Sequence, residues 1–426
     1  MTRMGWLSRM ALVVAVLSVA ACTGSEPEEA DRSVDEVRIG VLAPTTGANR
    51  AAGNEALHGA ELAAAMVNGE EGSVPLAGVG SAGLAGLGGA KLTVVSANTQ
   101  SRPEAAAVEA ARLVTEDRVV GLVGAYDVAV TEVASQRTER LGIPFVNGDS
   151  TAGYLTERGL DWFFRTGPTD RMLGEAFLSA VGETAGPDAR RVAVVFADDQ
   201  PSNVVADLTE ELAEEGGFDL VAKIGFDPAA SPVPAVTQLR NQADQPQAVF
   251  AVASTPENAT RLLRAFGQAR YSPPGLLAFG TGFSSSAVVA SLGAEGEGML
   301  ASTAWSREIA GRSSIAKPVM ELYEERFGQP MSETATGTFT AVLVLAEAID
   351  NAGSVDPQRV RAALLNLDVP GREMIMPWSG LRFNSSHQNA AATGVVEQRA
   401  QDAFRVVFPG ELQQAEPIWP RQAVGV

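Results

Sequence analysis

Cysteine, histidine and lysine are all scarce in this chain. Its 426 residues include one cysteine, two histidines and almost no lysine. A single cysteine excludes an internal disulfide and any cluster of thiolate ligands. His58 falls in a helix-like stretch among alanines and His387 in the turn NSSHQN. Neither has a serine or cysteine motif beside it that would build a triad. The pair Asp198-Asp199 is no better as a metal site. Adjacent carboxylates on an extended chain point in different directions, and no further ligand motif follows them. One of the two is expected to cap the next helix. No glycine loop of phosphate-cradling spacing occurs in DDQPSN. An enzyme, a metal and a cofactor are therefore not expected.

Positive charge is also short. The formal net charge is −19, and so acidic a surface repels nucleic acid and anionic lipid head groups. After the first few dozen residues, no apolar run is long enough to span a membrane.

The N-terminus holds the one informative cysteine. Arg3 and Arg9 precede an uncharged run from Met10 to Ala21. That run is too short for a hydrocarbon core needing about 20 residues, and it reads as a secretory signal. Val19-Ala20-Ala21-Cys22 is similar to the bacterial lipobox, which implies that Cys22 becomes the lipidated first residue. The plainer alternative is a signal cut near Ala21 that leaves a free thiol. Removing residues 1–22 takes away two arginines and no acid, for a charge of −21. Residues 23–36, TGSEPEEADRSVDE, are too polar to fold and read as a tether.

Beyond the tether, short β-rich runs alternate with alanine-rich amphipathic stretches. Strands are expected at 37–44, 91–98, 119–126, 143–149, 190–198, 219–226, 247–254 and 275–282, with helices between them. Buried strands separated by helices imply an α/β protein with parallel sheets covered on both faces. The series restarts after Pro168, so two lobes are expected. The end of the chain differs: GLRF, GVVEQ and FRVVF read as a meander. Residues 71–90 are Gly/Ala-rich and aperiodic, and read as a long mobile surface loop.

Ligands of open α/β sheets bind beyond the carboxyl ends of the strands. Those ends carry APTTGAN (43–49), AYD (125–127), NGDST (147–151), ADDQPSN (197–203), ASTPEN (253–258) and GTGFSSS (280–286). Hydroxyls, amides and carboxylates dominate, as expected around a small polar solute.

Taken in order, RIGVLAPTTG, ALHGAELAAAMVN, VVGLVGAYDVAVTEVASQRTERLGIPFV, LTERGLDWFFRTGPTD, GTFTAVLVLAEAIDNAG and PWSGLRFNSSHQN resemble the type 1 periplasmic binding-protein family. The resemblance is greatest to the branched-chain amino acid substrate-binding lipoproteins of ABC importers. It implies two doubly wound lobes, 37–167 plus 304–376 and 168–303 plus 377–426. Three crossings, near Pro168, Thr303 and Trp378, would allow hinge closure. It also implies a small-molecule ligand, an ABC permease as partner, a lipid anchor in the cell membrane and a monomer. A ligand sensor reporting to a membrane receptor or regulator is the alternative, because fold alone does not separate the two.

The family grips an amino acid's carboxylate with hydroxyls and backbone N–H groups after the third and fourth strands. This places Asp149, Ser150 and Thr151 at the grip. The family's serine after the third strand falls at Asp127 or Val128, a departure. Two roles are open to Asp127: holding a ligand ammonium, or capping the helix that follows. Asp170 keeps the family acid at the first crossing, with capping of helix 171–184 as its alternative. Tyr126 fits the family pattern for stacking. Where relatives carry aromatics over the ligand, this chain has Ser202 and Ser254. Where they carry an acid for the amino group, it has Thr281. Trp305 is expected to pack at the hinge. Small hydroxyls in place of aromatics leave more room, so a ligand larger or more polar than leucine is expected, such as a polar amino acid, a short peptide or an amide.

Overall fold

The computed structural model describes residues 34–421, except 48, 73, 81, 187–188, 284–295 and 402. Cys22 and the expected signal lie outside the described residues, as does the tether up to residue 33.

Strand β1 (Glu36–Ala43) is apolar on both faces, with Val37, Ile39, Val41 and Leu42 all buried. A strand of that kind needs cover on each side. Helix α1 (Arg50–Val67) supplies one layer and α2 (Pro103–Thr115) with α3 (Val128–Leu141) the other. With β2 (Lys91–Asn98), β3 (Leu122–Gly124), β4 (Phe145–Asn147) and β5 (Phe163–Arg165), β1 forms a parallel sheet of order β2-β1-β3-β4-β5.

Helix α4 (Asp170–Ala185) leads into a second sheet built the same way. Its parallel part comprises β6 (Arg191–Ala197), β7 (Asp219–Phe226), β8 (Ala248–Val252), β9 (Gly275–Phe279) and β10 (Leu300–Thr303). The order β7-β6-β8-β9-β10 repeats that of the first sheet. Helices α5 (Gln200–Glu215), α6 (Val233–Arg240) and α7 (Pro256–Gln268) follow β6, β7 and β8. In each sheet the strand order reverses beside the first strand, so each lobe has a switch point where loops diverge and leave a crevice.

The chain then returns to the first lobe. Helices α8 (Ala316–Phe327), α9 (Glu333–Ala352) and α10 (Pro357–Leu365) add residues to its core, and α9 is buried along almost its whole length. Strands β11 (Val369–Pro370) and β12 (Gly380–Leu381) pair with one another. Strands β13 (Val395–Ala400) and β14 (Ala403–Phe408) extend the second sheet antiparallel beyond β10.

Three details differ from the sequence reading. GLRF is no part of the closing meander, because its Gly380–Leu381 segment finds its partner locally in β11. The third crossing is later than Trp378. Trp378, Leu381, Phe383 and Ala392 pack into the first lobe's core, Gln388 bridges to Arg165, and the chain enters the second sheet only at Val395. Finally, the described residues of 71–90 are docked. Val74, Leu76 and Leu84 are buried, and the N–H groups of Gly78 and Gly86 donate to Glu347 Oε2 (2.6 Å) and Asp350 Oδ1 (2.7 Å) on α9. Among the described residues, no single helix is long and apolar enough to cross a membrane.

Candidate functional site

The loops leaving both switch points meet in a cleft with two connected parts. A narrow slot of about 40 Å³ lies between the tips of β4 and β8 and the start of α5, lined by Thr151, Asp170, Ser202 and Ser254 together with apolar Val128, Tyr154, Val204 and Val205. A chamber of about 820 Å³ adjoins it, lined by Tyr126, Asp149, Thr151, Asp170, Trp305 and Glu333, among others. Thr151, Asp170 and Gly280 border both.

Helix starts position most of these groups. Asp199 caps α5 by accepting from Ser202 N (2.9 Å), as the sequence reading expected of one of the two aspartates. Asp199 also accepts from Ser254 Oγ (2.9 Å), joining the tips of β6 and β8. Thr169 caps α4 through Met172 N. Asp170 is thus the first helical residue and not the cap. Ser332 caps α9 through Ala335 N (3.2 Å), which presents Glu333 at the chamber wall.

The expected carboxylate grip is largely consumed within the protein. Ser150 is buried; its hydroxyl lies 2.7 Å from that of Thr131 and donates to the carbonyls of Ala125 and Tyr126, both at 3.1 Å. It lines neither part of the cleft. The Thr151 hydroxyl donates to Asp170 Oδ1 (2.6 Å), and Asp170 N donates back to Thr151 O (2.8 Å). Asp127 occupies the N-cap position of α3, yet its carboxylate makes no cap bond and instead accepts from Asn49 Nδ2. It too is outside the cleft lining. Thr281 opens a turn after β9, and its side chain lies outside the described residues.

Ser202, by contrast, is available. It is 1 % exposed, and its Oγ has no hydrogen-bond partner among the described residues. Trp305 packs at the second crossing as expected, at 5 % exposure, but it also borders the chamber, and among the described residues its Nε1 has no acceptor.

The electrostatics of the chamber are those of crowded acids. Burial pushes the Asp149 carboxyl up to about 8; the Thr338 hydroxyl, donating at 3.1 Å, opposes this, and the charges of Glu333 and Glu55 add to it. Burial also raises Glu333. Glu397, on β13, is pushed up to about 7 by burial, against a hydrogen bond from Ser306 and with help from Glu333 and Glu308. Glu333 and Glu397 were not singled out in the sequence. One begins a helix and the other sits mid-strand, and no local signal shows that the two meet across the crossing.

The remaining candidates are structural. His58 stacks on Phe327 at 4.2 Å and lies 3.0 Å from Gln329 Nε2. His387 is buried against Phe164, with Nδ1 3.2 Å from Phe163 O. Among the described residues, no group of three or more metal-ligating side chains is placed to hold an ion.

Residues 36–402 match the family described as periplasmic binding protein. Leu/Ile/Val-binding protein homolog 7 of Brucella abortus is 23 % identical over 95 % of this chain and 98 % of its own length. The branched-chain amino acid transporter substrate binding protein of Streptococcus pneumoniae, solved with isoleucine, superposes with a TM-score of 0.70 at 20 % identity, over 88 % of this chain and 100 % of that one. A solute binding protein of an ABC transporter from R. palustris, solved with benzoate, gives 0.69 at 17 % identity, over 92 % and 99 %. With the family match spanning nearly all of the described residues and the fold shared, the chain belongs to the periplasmic binding protein family.

Proposed function

We propose that the chain is the substrate-binding component of an ABC importer. It captures one small polar solute between its lobes and hands it to a membrane permease. It works as a monomer outside the cytoplasm, tethered by a lipid on Cys22. The observation that supports this reading best is convergence. Polar tips from the switch points of both sheets surround one cleft, and Thr151 and Asp170 border both of its parts. Relatives named for leucine, isoleucine and valine support amino acids and similar molecules as the general class of solute. The departures at Ser202, Ser254 and Thr281 favour a solute more polar or larger than leucine.

A thermal-shift screen of the purified chain against amino acids, their amides, short peptides and aromatic acids tests this. A ligand that binds only the native state, present at a hundred times its Kd, stabilises by roughly 2.7 kcal/mol. At least one such solute is expected to raise Tm in a saturable way. No response to any of them, in protein shown by mass spectrometry to carry no co-purified solute, would overturn the proposal.

A further inference from the structure

Ser202 Oγ in the slot, and Ser302 Oγ and Trp305 Nε1 in the chamber, are buried polar atoms with no hydrogen-bond partner among the described residues. A buried donor left unpaired costs free energy that an arriving acceptor recovers. The indole N–H can only donate, so whatever meets it must accept, whereas a hydroxyl can do either. Neighbouring polar groups are already engaged. Thr151 donates to Asp170, Ser254 donates to Asp199, and Glu333 accepts from Ala304 N at 2.6 Å.

The unpaired atoms lie at different ends of the cleft. Ser202 is in the first turn of α5, Ser302 is on β10, and Trp305 follows on the second crossing. The linings of slot and chamber share only Thr151, Asp170 and Gly280. A molecule that reaches both Ser202 and Trp305 must pass that border, so it is elongated. An amino acid of the leucine type gathers its polar atoms on one carbon and offers them at one place. The walls along the path are amphipathic. Val128, Tyr154, Val204 and Val205 surround Ser202 in the slot, and the rings of Tyr126, Phe279 and Phe404 border the chamber. A polyol has acceptors but no apolar arm for such walls. A peptide alternates carbonyl oxygens with side chains. The chamber, at about 820 Å³, lies in the upper part of the range of roughly 300–1,000 Å³ that encloses drug-sized ligands.

We infer that the ligand is a short peptide lying along the cleft, with an apolar side chain in the slot beside Ser202 and a backbone carbonyl accepting from Trp305 Nε1. Ser302 Oγ is placed to meet a further peptide group. None of these contacts depends on the charge of the chamber's acids. The inference rests on the proposed solute-binding role and narrows its substrate class.

Isothermal titration with leucine, Leu-Gly-Gly and Gly-Gly-Leu tests it. Glycine adds peptide groups without side chains, on one side of the leucine or the other. At least one tripeptide is expected to bind roughly tenfold or more tightly than leucine. Trp305→Phe keeps a ring and deletes the N–H. It should weaken that tripeptide about tenfold and leave the affinity for leucine unchanged. Ser202→Ala, a second variant should the first fail to fold, should also weaken the tripeptide about tenfold. Because the deleted hydroxyl is unpaired, ligand-free Ser202→Ala should melt no lower than wild type, which separates a ligand contact from a structural role. Leucine binding as tightly as both tripeptides, no binding of either tripeptide, or a tripeptide indifferent to both substitutions would overturn the inference. A saturable Tm rise with leucine or another solute of the wider screen would then leave the binding-protein role standing, whereas silence across that whole screen overturns both.

Discussion

Asp149 shows how one residue carries both the cost and the use of this cleft. Its carboxyl is held near 8 chiefly by burial, with the Thr338 hydroxyl donating to it and the charges of Glu333 and Glu55 adding to the effect. In an unfolded chain the same group titrates near 3.9. Between those values the folded state binds more protons than the unfolded one, so stability falls as pH rises. Asp149→Asn removes that proton. Relative to the variant, the wild type should lose Tm progressively from about pH 4 to pH 8. Thermal melts of both proteins across that range check it, and parallel profiles would contradict the assignment. Arg165 is the opposite case, a fully buried cation that is fully used. Its guanidinium donates to Gln388 Oε1 (2.6 Å), Ala152 O (2.5 Å) and Thr156 Oγ1 (3.1 Å), tying β5 to the loop after β4 and to the segment before the third crossing. Arg165→Ala strands several buried acceptors, each costing about 1–3 kcal/mol. Urea unfolding should show a loss of roughly 3 kcal/mol or more, and a loss below 1 kcal/mol would mean that water replaces the guanidinium.

At the scale of elements, α1 and α9 approach closely at Gly59. A Cβ on Gly59 would lie 2.1 Å from the carbonyl oxygen of Ala335, two residues after Glu333. Gly59→Ala therefore has to push α9 away, an overpacking that costs about 1–3 kcal/mol. Chemical denaturation measures that cost. A stability equal to wild type would show that the helices separate freely. Most elements of this kind were legible in the sequence, because long apolar strands and alanine-rich amphipathic helices announce themselves by periodicity. KLTVVSAN and DLVAKIGF run over the very residues of β2 and β7. Short elements were legible only where apolar residues surround them, as at β4. β5 spans three residues and ends in a buried arginine, and β11 spans two, so neither offers a period to read. The docking of residues 71–90 was hidden for another reason. Backbone N–H groups at glycines hold it to acids on α9, and composition records no such bond. In the site, the hydroxyl-rich tips were visible, but their partners were not. Whether Thr151 faces a ligand or Asp170 is settled by tertiary contact alone.

At the scale of the whole molecule, the question is what moves. The chain passes between the two sheets at 166–170, 303–305 and 392–395, and the cleft lies beside these crossings. Neither sheet depends on the other for its hydrogen bonds, so each lobe keeps its own core when the crossings flex. Rotation about three short strands of backbone changes chamber volume at little internal cost, the condition for hinge closure. A ligand drives that closure only by contacting both lobes at once, because an equilibrium shifts by no more than the differential affinity for its two states. Thr151 and Tyr154 stand on the first side of the slot, Ser202 and Ser254 on the second. Ser202, whose hydroxyl has no partner among the described residues, is an available contact on the second lobe. Small-angle scattering should therefore show a lower radius of gyration with saturating ligand than without it. A compact single body of about 390 residues would give about 21 Å, and the liganded form should move towards that value. Ser202→Ala is expected to retain first-lobe contacts but weaken binding roughly tenfold, with less compaction at equal ligand concentration. A solute that raises Tm without any change in scattering would show capture by one lobe alone, and the hinge would then have no part in binding.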